Sequence, residues 1–238
     1  MIIIHNSKYL DFLSKFGVGG AHPGGIELTK EMLINESITK DTSILDIGCG
    51  TGQTAAYLAK TYGAKVTGID INPIMVEKAK KRMKEASLPV EIIQGSIEKI
   101  PSPDQSFDLI ISESVLSFVN KSLAIKEIFR LLKADGRLIA NELTINNHLE
   151  TTVESEIKEF YGFESILMER DWINLFKQTG FKNIHISKKH PINQSYSTPE
   201  FHYSNIIKPD LYEIMEKHYY FNQKYEKYWD YRIFLCIK

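Results

Sequence analysis

Ile44-Leu45-Asp46-Ile47-Gly48-Cys49-Gly50-Thr51-Gly52-Gln53, running on into Thr54-Ala55-Ala56-Tyr57-Leu58-Ala59, is the stretch on which the fold turns. Ile44, Leu45 and Ile47 read as a short apolar strand, and the Ala- and Leu-rich run after Gly52 reads as a helix. Three glycines at alternate positions join the two. A sharp strand-to-helix turn that lets a ligand touch its backbone needs residues without a Cβ, and the helix beyond it offers unpaired N–H groups. This is a nucleotide-type ligand site on a strand–loop–helix unit. Its Gly-x-Gly-x-Gly spacing differs from the dinucleotide fingerprint, which wants a third glycine where Gln53 stands. Asp46, inside the strand, would repel a pyrophosphate and suits a ligand carrying positive charge.

Asp46-Ile47-Gly48-Cys49-Gly50-Thr51-Gly52 resembles the first motif of class I S-adenosylmethionine-dependent methyltransferases. The cofactor of that family is cationic at sulfur, bears an ammonium group and has no phosphate. The resemblance implies an α/β fold: a Rossmann-like, seven-stranded, mostly parallel sheet with helices on both faces. Here it would carry an N-terminal helical cap and an insertion between the last two strands. One domain is expected over 1–238, divided into a cap (1–40), a core (41–189), a lid-like insertion (190–229) and a last strand (230–238). S-adenosylmethionine is the implied cofactor and S-adenosylhomocysteine the product, held at this loop by Asp46, Gly48, Cys49, Gly50, Gly52 and Gln53. The resemblance is close over 40–145 and loose elsewhere. The overall pattern is similar to the broad group that includes ubiquinone- and menaquinone-biosynthesis methyltransferases.

At 238 residues, 43% hydrophobic and 25% charged, the chain has the make-up of an ordinary globular domain. A formal net charge of -1 gives no global reason to expect nucleic acid or an anionic membrane as partner. Two cysteines, Cys49 and Cys236, set no disulfide or zinc framework. The apolar run in Met1–His5 is too short for a signal peptide, and no stretch is long enough to span a bilayer, so a soluble cytoplasmic protein is expected.

Before the first strand, Tyr9, Leu10, Leu13 and Phe16 fall at helical spacing, and a second helix is expected from Ile26 to Ile38. Between them the glycine-rich run 17–25 reads as a loop with no packing role. By the resemblance this segment closes over the cofactor and substrate, which makes His22 a candidate catalytic residue. The bland reading, a hinge whose His22 caps a helix, stands beside it. His185, between Ile184 and Ile186 in a strand pattern, is expected to face solvent.

After the glycine loop, Ala64–Asp70 reads as the second strand and ends in a carboxylate able to accept two hydrogen bonds from a ribose diol. Asp70 and Ile71 therefore join the cofactor set. Asn72-Pro73 then starts a helix, Asn as N-cap and Pro at the first position. Its basic run (Lys78, Lys80, Lys81, Arg82, Lys84) reads as a solvated face. Pro89–Gln94 reads as a third strand. In the resembled family the residues after it hold the adenine, which points to Ser96 and the backbone of Ile97, although Ser96 stands where an Asp is typical. Ser106–Ser112 is the fourth strand. Ligands of open α/β sheets bind outside the carboxyl ends of the strands, so Ser112 is placed at the cofactor and Glu113 near the transferred methyl. Arg137–Leu143 reads as the fifth strand, with Glu142 near its end as a third candidate base. The Asp/Asp/Asn set of metal-dependent relatives is missing, and no metal is expected.

Phe181–Lys189 and Tyr231–Ile237 read as the last two strands, with about forty residues between them. The first half of that insertion holds Tyr196, Phe201, His202 and Tyr203. The second is a helix with Leu211, Ile214, Met215, His218, Phe221, Tyr225 and Trp229 on roughly one face. A substrate lid and a homodimer contact are both open readings of it.

The expected reaction is transfer of a methyl group to a small-molecule acceptor by in-line displacement, mainly through positioning. A general base is required only if the acceptor must lose a proton; His22, Glu113 and Glu142 are the candidates. The alternatives are a tRNA- or protein-modifying methyltransferase, which should show a basic groove, and a non-catalytic S-adenosylmethionine-binding regulator.

Overall fold

A computed structural model describes residues 7–187 and 199–238. The Met1–His5 run, Tyr196 and the end of the expected sixth strand lie outside the described residues. Helix α1 (Lys8–Phe16) begins at Ser7, whose hydroxyl accepts from Leu10 N at 3.2 Å, and is ended by Gly17 in the left-handed region. Strand β1 (Val18–Gly19) and helix α2 (Gly25–Leu33) follow, α2 stopping before the expected Ile38.

The central units come in the order the periodicity predicts. They are β2 (Ser43–Ile47), α3 (Gln53–Tyr62), β3 (Lys65–Asp70), α4 (Pro73–Glu85), β4 (Glu91–Gln94), β5 (Phe107–Glu113), α5 (Lys121–Leu131) and β6 (Leu132–Ile145). Asn72 caps α4 by accepting from Ile74 N at 2.9 Å, with Pro73 in the first turn. After α6 (Thr151–Tyr161) and α7 (Glu169–Thr179) come β7 (Lys182–Ser187), β8 (Glu200–Phe201), α8 (Asp210–Tyr225) and β9 (Trp229–Ile237). His185 is exposed on β7, as expected.

Seven strands form one sheet in the order β4-β3-β2-β5-β6-β9-β7. The first five run parallel, and β9 is antiparallel to both β6 and β7. Alternation along each strand sorts the core onto two faces. Leu45, Ile47, Ile110, Leu138 and Ala140 pack with α5 and α7, including the fully buried Trp172 and Phe176. Ile44, Leu109, Ile111 and Ile139 pack on the opposite face with Leu58 of α3 and Val76, Ala79 and Met83 of α4. A third cluster, rich in aromatics, joins α1, α6 and α8 through Phe12, Phe16, Ile157, Phe160, Phe221 and Tyr225. It forms a cap over the carboxyl ends of the parallel strands.

The glycine-rich run 17–25 departs from expectation. Val18–Gly19 pairs antiparallel with Glu200–Phe201, so the segment does take part in packing. The glycine is what permits it. A Cβ on Gly19 would lie 3.3 Å from Gln53 Oε1, Glu200 Oε2 and Thr51 Oγ1, so the bare backbone can rest against the glycine loop where a side chain would crowd it. Among the described residues no helix is long and apolar enough to cross a membrane.

Candidate active site

A cavity of about 1470 Å³ runs from the glycine loop, beneath the β1–β8 ribbon, to the aromatic cap. Sites for one drug-sized ligand usually enclose about 300–1,000 Å³, so this space accommodates two reactants together. Asp46, Gly48, Cys49, Gly50, Gln53, Asp70, Ile71, Ser96 and Ile97 line it, as do His22 and Glu113.

Three expected site residues do not reach the cavity wall: Gly52, Ser112 and Glu142. Gly52 is instead a packing residue. At φ +75° it precedes α3, and a Cβ there would lie 2.7 Å from Met83 Cε and 3.1 Å from Ala79 Cβ. It performs the close packing that the dinucleotide fingerprint assigns one position later. Ser112 is fully buried and donates to Glu142 Oε1 at 2.7 Å. The same Glu142 oxygen accepts from the backbone N–H groups of Val115 and Leu116, each at 3.3 Å. Glu142 is thus an internal brace for the turn after β5, placed behind the wall it was expected to form. Burial outweighs those hydrogen bonds and pushes its carboxyl up to about 7.

Strand alternation explains which residues face inward. Glu113 pairs in register with Asn141 on β6, and both meet the segment 22–23. Asn141 Nδ2 donates to the Pro23 carbonyl at 3.0 Å, and His22 Nε2 lies 3.5 Å from Glu113 Oε1. Ser112, one residue earlier, faces the other side. Glu113 is held by two hydroxyls, accepting from Thr29 Oγ1 of α2 at 2.6 Å and from Thr54 Oγ1 of α3 at 2.7 Å. One carboxylate therefore gathers the cap, the cofactor-loop helix and the end of β5. His22 Nδ1 is 3.3 Å from the Pro23 carbonyl, an acceptor only, which assigns the proton to Nδ1 and leaves Nε2 toward Glu113.

The glycine-loop end is electronegative. Asp46 is 3% exposed and its Oδ2 has no hydrogen-bond partner in the protein. Burial first, then the neighbouring carboxylates of Glu113 and Asp70, push its carboxyl well up. Asp70 Oδ2 accepts from Gly50 N at 2.9 Å and its Oδ1 from Asn72 N at 2.8 Å, leaving each oxygen a further lone pair. Burial raises its pKa against those bonds. Carboxylates so placed call for a cationic ligand with hydroxyls to donate. The donors present fit S-adenosylmethionine, whose sulfonium and ammonium supply the charge and whose ribose supplies the hydroxyls. Gly50 leaves open space where a Cβ would stand, and Gly48, at φ +62°, admits Val115 where a Cβ would lie 2.4 Å from Val115 Cγ2. Cys49 is buried, and burial followed by Asp46 and Asp70 pushes its thiol well up, so it lacks the thiolate of a nucleophile.

The strap across this end has no forerunner in the sequence pattern. Glu200 Oε2 accepts from Gln53 Nε2 at 3.0 Å and from Arg82 Nη2 at 2.7 Å, while Arg82 Nε donates to the Thr51 carbonyl at 2.8 Å. His202 N donates to the Gly17 carbonyl at 3.0 Å. Part of the α4 basic run thus anchors the strap and is not merely a solvated face. Thr29 and Thr54 are likewise absent from the expected set, because a threonine inside a helix carries no positional signal.

Comparison with known proteins agrees with this geometry. A family model described as a methyltransferase domain matches residues 45–140. The uncharacterized methyltransferase YodH of Bacillus subtilis is 38% identical over 233 residues, which are 98% of this chain and 100% of that protein. The chain belongs to the class I S-adenosylmethionine-dependent methyltransferases. This methyltransferase is also 30% identical over 180 residues to phosphoethanolamine N-methyltransferase 1 of Arabidopsis thaliana, covering 75% of this chain and 36% of that protein. The solved structure of phosphoethanolamine N-methyltransferase 2 of Haemonchus contortus in complex with S-adenosyl-L-methionine superposes with a TM-score of 0.77 at 18% identity. That match covers 97% of this chain and 56% of that one. The likeness to it is one of fold.

Proposed function

We propose that this methyltransferase transfers a methyl group to a small-molecule acceptor enclosed between the carboxyl edge of the sheet and a cap to which 7–40 and 199–229 contribute. The observation that carries the reading is the continuity of the cavity. Its cofactor-loop wall (Asp46, Gly50, Asp70) and its aromatic wall (Tyr9, Tyr161, Trp229) enclose one space. S-adenosylmethionine, when bound, supplies an electrophilic methyl that the acceptor's lone pair takes as the C–S bond breaks, the bonding pair leaving on sulfur.

Asp46 and Asp70 would hold the cationic and hydroxylated parts of the cofactor, and Ile71, Ser96 and the backbone of Ile97, on the same wall, would hold its nucleoside. The cap excludes water and fixes the acceptor's approach, which supplies rate through effective molarity. Where the acceptor must lose a proton, His22 takes it at Nε2, and Glu113 at 3.5 Å stabilises the resulting imidazolium. Glu113 also positions that ring and the cap helix. Buried, unpaired Cys49 and Cys236 suit a reducing cytoplasm. Tyr220, exposed on α8, supports a homodimer contact there, which light scattering on the purified protein would test.

Methyl-labelled S-adenosylmethionine, the purified protein and a cell extract split into metabolites, RNA and protein test the proposal. Label should arrive in the metabolite fraction. Label in RNA or protein would overturn the small-molecule reading, and absence of transfer with cofactor bound would favour a regulator.

A further inference from the structure

Resting on the small-molecule reading, we propose that the acceptor has a flat apolar body and carries no anionic group, so that phosphorylated and carboxylated compounds are excluded. Two independent features of the cavity lead there.

The first is its aromatic wall. Tyr161 is stacked on Phe163 with centroids 5.0 Å apart, Tyr9 meets Tyr161 edge-on at 4.8 Å, and Phe118 lies 5.0 Å from Phe163. With Trp229 they present flat apolar surface from α1, the end of α6, the turn after β5 and the start of β9. Rings of this kind receive a flat apolar body, and their faces attract positive charge.

The second is the balance of charge. Among the described residues, eight Asp and Glu side chains line the cavity, Asp46 and Asp70 of them at the cofactor end, and only one Lys or Arg, Lys99. Pairing does not reverse the sign. Glu164 is bridged by Lys121 at 3.0 Å and Glu200 by Arg82 at 2.7 Å, but Asp11 on α1 and Glu226 beyond α8 stand at the cap end, both exposed. Burial pushes His218 down to about 4, so it contributes no cation at neutral pH. Recognition of a phosphate or carboxylate depends on Arg, Lys or converging N–H donors. This wall offers carboxylates instead, and like charges placed together act against the wrong ligand.

Calorimetry on protein saturated with S-adenosylhomocysteine tests the class with three probes: tyramine, 4-hydroxyphenylacetate and phosphoethanolamine. The first two share a ring and differ in the charge of the tail. Tyramine should bind at least about tenfold more tightly than 4-hydroxyphenylacetate, and phosphoethanolamine should give no saturable heat. The Asp11→Asn/Glu226→Gln double variant, altered only at exposed positions, should narrow the first ratio to about threefold. The proposal is overturned if either anion binds as tightly as tyramine, or if none of the three binds to the loaded protein. Saturation with S-adenosylhomocysteine in the first step separates the readings. Failure to load would strike the cofactor site itself, whereas failure after loading strikes the acceptor class alone.

Discussion

Glu200 Oε2 accepts a hydrogen bond from Gln53 Nε2 at 3.0 Å, tying β8 of the C-terminal insertion to the first residue of the cofactor-loop helix. Arg82 on α4 holds the same oxygen at 2.7 Å. Partial burial notwithstanding, Arg82 and His202 draw the Glu200 carboxyl below its usual range.

Glu200→Ala should therefore release the strap with little loss of fold. Glu200 is 37% exposed on its side chain, and ion pairs of that exposure contribute about 0–1 kcal/mol. The expected signature is faster dissociation of S-adenosylhomocysteine in stopped-flow measurements, with the melting temperature nearly unchanged. An unaltered off-rate would detach the strap from cofactor retention.

The glycines of the loop should separate by substitution. Gly52→Ala must accommodate φ +75° and a contact of 2.7 Å with Met83 Cε, so a loss of about 1–3 kcal/mol is expected in chemical denaturation. Gly50→Ala meets nothing within 4 Å and bears only the left-handed backbone at φ +53°, about 1–2 kcal/mol, yet it intrudes on the cavity wall. Affinity for S-adenosylhomocysteine should fall more in Gly50→Ala, and stability at least as much in Gly52→Ala.

Much of the sheet is legible in the sequence because apolar alternation and glycine spacing are local signals. Asp46-Ile47-Gly48 and Asn72-Pro73 carry their geometry in adjacent residues. The β1–β8 pairing joins Val18 to Phe201 and leaves no local period, so the glycine run reads as loop alone. Glu142 misleads for a different reason. Its place near a strand end suggests a residue facing the ligand, but alternation puts it on the side of Ser112, away from Glu113. The cavity wall is legible in Asp46, Gly50 and Asp70, whereas the threonine clamp on Glu113 needs three elements to be assembled first.

Glu142 makes the stability of this protein pH-dependent. A carboxyl raised to about 7 when folded, from 4.5, binds more protons folded than unfolded between those values, so stability falls as pH rises through that window. The loss saturates at about 3 kcal/mol above pH 7. His218, lowered from 6.5 to about 4, acts oppositely: its contribution is lost as pH falls through about 6.5 to 4. Glu142→Gln should therefore melt higher than wild type at pH 8 and lose stability more steeply on acidification. Parallel melting curves against pH would show that Glu142 does not titrate in this range.

His22→Ala should lower kcat by on the order of 10²-fold, whether through lost proton transfer or a displaced cap loop, while S-adenosylhomocysteine affinity stays within about threefold. Added imidazole separates the two contributions: it restores turnover to the variant if proton transfer was lost and does not if the cap loop is displaced. Unchanged turnover would leave His22 as a hinge residue.

The cofactor site is tested most directly by calorimetric titration of S-adenosylhomocysteine into wild type and Asp70→Ala. Asp70 is the carboxylate bridging Gly50 N and Asn72 N at the cavity wall. Saturable binding to one site in wild type, weakened at least about tenfold in a variant that still melts cooperatively, is the expected result. Equal affinity in the two proteins would contradict the placement of the cofactor at the carboxyl ends of β2 and β3.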